Sequence, residues 1–138
     1  RFYVKGNWSP DFTKAERLCA GMANEYSVSF LPSLEKFIVV YNENGSSRNI
    51  AARFASQPWG PWSPPTDLYQ CPEMSWGKDI LCYAAKGHPE LSITPDELIV
   101  TYVANSTDFY KMAADARLYR PRFIRVRFKE KRSDRNGY

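Results

Sequence analysis

Apolar and polar residues alternate in short runs along most of this chain, and six runs read as strands: Tyr26–Phe30, Lys36–Asn42, Asn49–Ser56, Asp79–Ala85, Glu97–Ala104 and Arg122–Phe128. Each is bounded by Pro, Gly, Asn or Ser, residues that supply turns. The pattern is plainest in the last run, where Ile124, Val126 and Phe128 take one face and Arg125 and Arg127 the other. Strands at this density predict an all-β fold. Ahead of them, Ser9-Pro10-Asp11-Phe12-Thr13-Lys14-Ala15-Glu16 predicts a short helical segment, with Ser9 as its cap and Pro10 at its first position.

The runs also repeat. Phe37-Ile38-Val39-Val40-Tyr41-Asn42-Glu43-Asn44-Gly45-Ser46 aligns without gaps on Leu98-Ile99-Val100-Thr101-Tyr102-Val103-Ala104-Asn105-Ser106-Thr107, and upstream Glu25-Tyr26-Ser27-Val28-Ser29 aligns on Glu90-Leu91-Ser92-Ile93-Thr94. Each unit is a strand, a turn and a strand. A repeat of antiparallel strands at this length is the mark of a β-propeller blade, a four-stranded sheet that cannot bury both faces alone. The expected division is a connecting segment over 1–24, a first blade over 25–85, a second over 86–128 and a basic, disordered tail over 129–138. Since propellers close with four to eight blades, about two blades predict a fragment whose partners are the remaining blades of the same propeller.

Composition narrows the setting. The 138 residues contain 15% aromatics and ten prolines and no apolar run long enough to span a bilayer, so no membrane partner is expected. The start Arg1-Phe2-Tyr3-Val4-Lys5 has neither an initiator Met nor a signal peptide's apolar stretch and reads as processed or truncated. Three Asn-x-Ser/Thr sequons, at Asn7, Asn44 and Asn105, point to a secreted glycoprotein. Cys71 and Cys82 flank a loop and could pair as a disulfide, the alternative being that they and Cys19 are small buried hydrophobes. With one histidine and no Cys-x-x-Cys, no ordinary zinc site can be assembled, and no cofactor is expected. The net charge of +4 is concentrated at one end, since Arg117–Arg135 holds nine basic and two acidic residues. Aromatics are not interleaved on the arginine face as nucleic-acid binding would want, Phe123 excepted, so a nucleic-acid partner is disfavoured.

Several segments resemble the secreted five-bladed propellers known as domain of unknown function 4185 and their relatives. These are Glu25–Val28, the turn Pro58-Trp59-Gly60-Pro61-Trp62-Ser63, Tyr69-Gln70-Cys71-Pro72-Glu73, Tyr83–Ser92, Thr101-Tyr102, Asn105-Ser106, Asp108-Phe109 and Tyr119-Arg120-Pro121-Arg122-Phe123. The resemblance implies C-terminal blades of such a domain and, from relatives acting on arabinan-type polysaccharides, a glycoside-hydrolase-like role with a carbohydrate ligand. A non-catalytic sugar-binding or surface-interaction propeller is the alternative.

In a propeller the first strand of each blade lines the central channel. The repeat therefore places Glu25 and Glu90 at equivalent points of adjacent blades, as the carboxylate pair that glycosidic cleavage needs. A recurring Glu could equally accept hydrogen bonds from a neighbouring blade. His88, two residues before Glu90, could contact a sugar hydroxyl, and so could Asp108 in the long Thr107–Arg120 connection, where an Asx turn is the competing role. Trp59, with Trp62 and Trp76, offers a face for sugar stacking, or else a rigid corner that caps the sheet. Arg122, with Arg120, could clamp an acidic or polyhydroxyl ligand.

Overall fold

The computed structural model describes residues 1–129. Its strands are β1 (Phe2–Val4), β2 (Asn7–Ser9), β3 (Met22–Leu31), β4 (Lys36–Glu43), β5 (Asn49–Ala55), β6 (Thr66–Gln70), β7 (Ile80–His88), β8 (Glu97–Ser106) and β9 (Pro121–Arg127). The helix α1 (Phe109–Ala114) is the single α-helix among the described residues. The fold is all-β: a β1-β2 hairpin, a four-stranded sheet β3-β4-β5-β6 and a three-stranded sheet β7-β8-β9, every pairing antiparallel.

All six expected strands form, with ends that differ from the expected ones by at most four residues: β3, β4, β7 and β8 run longer, while Ser56, Asp79 and Phe128 fall outside their strands. The N-terminal helix does not form. Ser9 ends β2, and its hydroxyl accepts from Asp11 N–H instead of capping a helix, while Asp11 caps a single 3-10 turn at Phe12–Lys14. That turn buries no residue, so nothing rewards prolonging it. The expected unit boundary at residue 85 falls inside β7, which belongs wholly to the second sheet. The second sheet has three strands instead of four among the described residues, and residues 130–138 of the expected tail lie outside them.

The main core lies between the two larger sheets. Leu31, Ile38, Val40, Ile50 and Ala52 of the first sheet meet Cys82, Ala85, Leu98, Val100, Tyr102 and Ala104 of the second, with Cys71 between. β3 and β7 run side by side in the same direction: Ser27 Oγ accepts from Gly87 N–H at 2.7 Å, and Asn42 Oδ1 accepts from Ala85 N–H at 2.9 Å. Side chains of the first sheet thus satisfy the free backbone edge of β7, where unpaired buried N–H groups would be costly.

The sheets stack face to back. In the repeat, Val39 and Tyr41 correspond to Val100 and Tyr102. Val100 and Tyr102 face the first sheet, whereas Val39 and Tyr41 face away from the second and pack with Ala51, Met22 and Trp62. A two-sheet sandwich would turn equivalent faces toward each other. Here both sheets present the same face in the same direction, as successive layers of a series do.

Asn42 is completely buried and joins the layers, donating from Nδ2 to Ser47 C=O at 3.2 Å while accepting from Ala85. Asn42→Ala is expected to cost about 2 kcal/mol, the penalty of an orphaned buried amide plus a small void. Urea unfolding with an unchanged m-value would show it, and a loss below about 0.5 kcal/mol would mean that water replaces the amide.

Candidate functional site

β7 ends at His88, and Pro89 then opens a 3-10 turn over Pro89–Leu91, because proline is pre-set for a first helical position and donates no ladder hydrogen bond. The turn carries Glu90 back toward the strand end. His88 Nδ1 lies 2.9 Å from Glu90 Oε1, and Nε2 lies 2.8 Å from Thr101 Oγ1 on β8. In the tautomer that satisfies both contacts, Nδ1–H donates to the carboxylate and Nε2 accepts from the Thr101 hydroxyl. The side chain of His88 is 28% exposed and that of Glu90 64%, so the line opens to solvent at its acidic end. Glu90's own backbone N–H, and next the His88 ring, hold its carboxyl below the usual range. Carboxylate, imidazole and hydroxyl in sequence can relay a proton: Nε2 takes one from a hydroxyl while Glu90 balances the charge that develops on the ring.

Two residues singled out in the sequence therefore meet, and Thr101 joins them unforeseen. Its signal was in the repeat, where Val40 of the first copy is replaced by a threonine inside an apolar run. Glu25 is elsewhere. It sits exposed near the start of β3, at a register shift between Met22 and Tyr26, and no described hydrogen bond or ion pair links it to Glu90. The supposed equivalence of these two glutamates is corrected by the pairing. Tyr26 pairs with Tyr41, whereas the residue opposite Tyr102 falls in the irregularity between Tyr83 and Lys86. The counterpart of Glu25 is therefore in the Ala84-Ala85 bulge, and Glu90 lies past the opposite end of β7.

The other candidates are engaged within the protein. Asp108 Oδ1 accepts from Tyr110 and Lys111 N–H as the N-cap of α1, the local role that competed with ligand contact. Trp59 stacks on Tyr3 at 5.7 Å and 16° and meets the edge of Trp8, closing the β1-β2 hairpin onto the first sheet's corner. Arg122 spends its guanidinium on Glu73 Oε1 at 2.8 Å and on the carbonyls of Arg120 and Arg117. Glu73 is itself buried and also accepts from Tyr102 OH at 2.9 Å.

Cys71 and Cys82 lie in the same core cluster, both buried, as free thiols; the disulfide expected between them is not formed. The Cys82 thiol beside it, and then burial, push the Cys71 thiol up, while the contact with Cys71 lowers Cys82. Asn7 and Asn44 are exposed, and Asn105 is half-buried with its side chain accepting from Ser106 N–H. No group of three or more metal-ligating side chains gathers among the described residues.

The comparisons bear on this geometry. Residues 1–130 match the domain of unknown function DUF5005. The chain belongs to the DUF5005 family. That match supports family membership in DUF5005 and does not extend to the DUF4185 resemblance. Among solved structures, this DUF5005 chain is similar to a crystal structure from Bacteroides ovatus described as a "putative hydrolase", with a TM-score of 0.63 and 19% identity. The likeness covers 86% of this chain and 31% of that one, so the chain spans about a third of its length. At that identity it shows a shared fold. No curated protein matches the chain.

Proposed function

We propose that this DUF5005 chain supplies blades of a secreted, carbohydrate-active β-propeller of hydrolase-like type, five-bladed as the DUF4185 resemblance implies, with a polysaccharide as ligand. The remaining blades of the same propeller are its partners. The face-to-back stacking of the two larger sheets carries this reading. Layers related in that way, with their first strands β3 and β7 side by side, continue naturally into a ring around those strands. The similarity to a longer protein described as a "putative hydrolase" supports the same direction.

Within the ring, the Glu90–His88–Thr101 line is the part of this chain best suited to a saccharide. It offers a carboxylate acceptor, an imidazole and a hydroxyl at the end of a channel-side strand, the groups that sugar hydroxyls seek. Hydrolysis of arabinan by the full-length protein, followed as released reducing ends, is expected to fall about 100-fold in His88→Ala, the scale of a lost acid–base group, and less in Glu90→Gln. Unchanged rates in both variants would remove the site from catalysis.

The separation of Glu25 from Glu90 favours a second reading, sugar binding without cleavage by these residues. Under it, His88→Ala weakens retention of the full-length protein in arabinan-containing gels while no variant changes the release of reducing ends.

A further inference from the structure

The element order around the first sheet is itself repeated. β5 and β6 form a hairpin, followed by a 3-10 turn at Pro72–Ser75 and then the channel-side strand β7; β1 and β2 form a hairpin, followed by a 3-10 turn at Phe12–Lys14 and then β3. β1 and β2 thus stand before β3 in the order in which β5 and β6, the third and fourth strands of the first sheet, stand before β7.

The face of the first sheet turned away from the second is open and apolar. Leu18, Met22, Tyr26, Val28, Val39 and Trp62 border a groove of about 390 Å³ on the side of the first sheet that carries Tyr41. Tyr26 is 51% exposed and Val28 45%, unusual for apolar side chains on a long strand. The equivalent face of the second sheet is covered by the first at Leu98, Val100 and Tyr102, which are buried. β3 also ends its sheet with a bare edge, as β7 does, but the edge of β7 is met by Ser27 Oγ and Asn42 Oδ1. By the pairing register, the β3 residues matching Ala85 and Gly87 are Tyr26 and Val28.

We propose that this face and edge are the seat of a preceding blade of the same polypeptide. The occupant is a pair of antiparallel strands that adds to β1-β2 to complete a four-stranded sheet. Its apolar side chains fill the groove, and its side-chain oxygens, placed as Ser27 and Asn42 are for β7, accept from the N–H groups of Tyr26 and Val28. Three observations converge on this occupant: the repeated order of elements, the already established interface between the two sheets, and the 31% share of the longer similar structure that this chain covers. The inference rests on the propeller reading and specifies where the ring continues.

Val28→Asp tests it in two settings. In the 138-residue chain, where Val28 is half-exposed, the melting temperature should fall by no more than about 3 °C; in the full-length polypeptide the fully buried charge should lower it by roughly 5 °C or more beyond that. Should the variant fail to accumulate, amide exchange of the unaltered proteins gives the same answer. Tyr26 and Val28 should exchange at least 100-fold more slowly in the full-length polypeptide than in the 138-residue chain. Equal tolerance of Val28→Asp, or equal exchange, overturns the inference. So does a 138-residue chain that is dimeric and becomes monomeric on Val28→Asp, because the seat then belongs to a second copy. None of these readouts depends on saccharide binding or cleavage, so failure here is distinguishable from failure of the proposed saccharide site.

Discussion

Replacing Arg122 with alanine should destabilise the protein by about 3–5 kcal/mol, more than any surface substitution, because it strands the Glu73 carboxylate in the core. The two side chains are only 14% and 9% exposed, and the pair is tied further by Tyr102 OH and by the carbonyls of Arg117 and Arg120. Burial of Tyr102, and then its bond to Glu73, push its phenol up, so its hydroxyl stays protonated and donates to Glu73. This network links the 3-10 turn after β6 to β8 and β9. Its energy lies in not being broken, since exchanging both charges for apolar groups can be nearly neutral. Glu73→Leu combined with Arg122→Met should therefore recover most of what Arg122→Ala loses in a urea titration. A single-variant loss below 1 kcal/mol would mean that water reaches the pair.

Oxidation of Cys71 and Cys82 is the second large expected effect. Both thiols belong to one core cluster, and the neighbouring Cys71 thiol lowers Cys82, so oxidised glutathione would have a pair of adjacent thiols to join. Closing the short loop between them should stabilise the protein by about 3 kcal/mol on the chain-entropy account. Thiol titration in denaturant should fall from three groups to one after treatment with oxidised glutathione, leaving Cys19. Three titratable thiols after that treatment would show that the buried pair cannot reach bonding geometry.

Strands were legible in the sequence wherever one face of a sheet is buried, because alternation then marks the pleat. β4 reads as an unbroken apolar run for a different reason: Ile38 and Val40 face one core cluster, Val39 and Tyr41 the other. β6 escaped notice because Thr66, Asp67 and Gln70 are exposed on an edge strand. β1, β2 and α1 are too short for a period to show. The repeat identified β4 and β8 as equivalent and placed the strand before β4 correctly, but misplaced the one before β8. Glu90-Leu91-Ser92-Ile93 alternates as a strand would, yet Pro89 sets its beginning into a 3-10 turn. That slip created the apparent glutamate pair. The contact of His88 with Glu90 was within reach of sequence proximity, whereas Thr101 is brought to His88 by cross-strand pairing.

The most direct test of the account is a crystal structure of the full-length polypeptide soaked with an arabino-oligosaccharide. The account predicts a closed ring of sheets with β3 and β7 facing its axis and sugar hydroxyls within hydrogen-bond distance of His88 or Glu90. A structure in which the two larger sheets stand alone, with the Tyr26 and Val28 face in solvent and no sugar at His88, would contradict it.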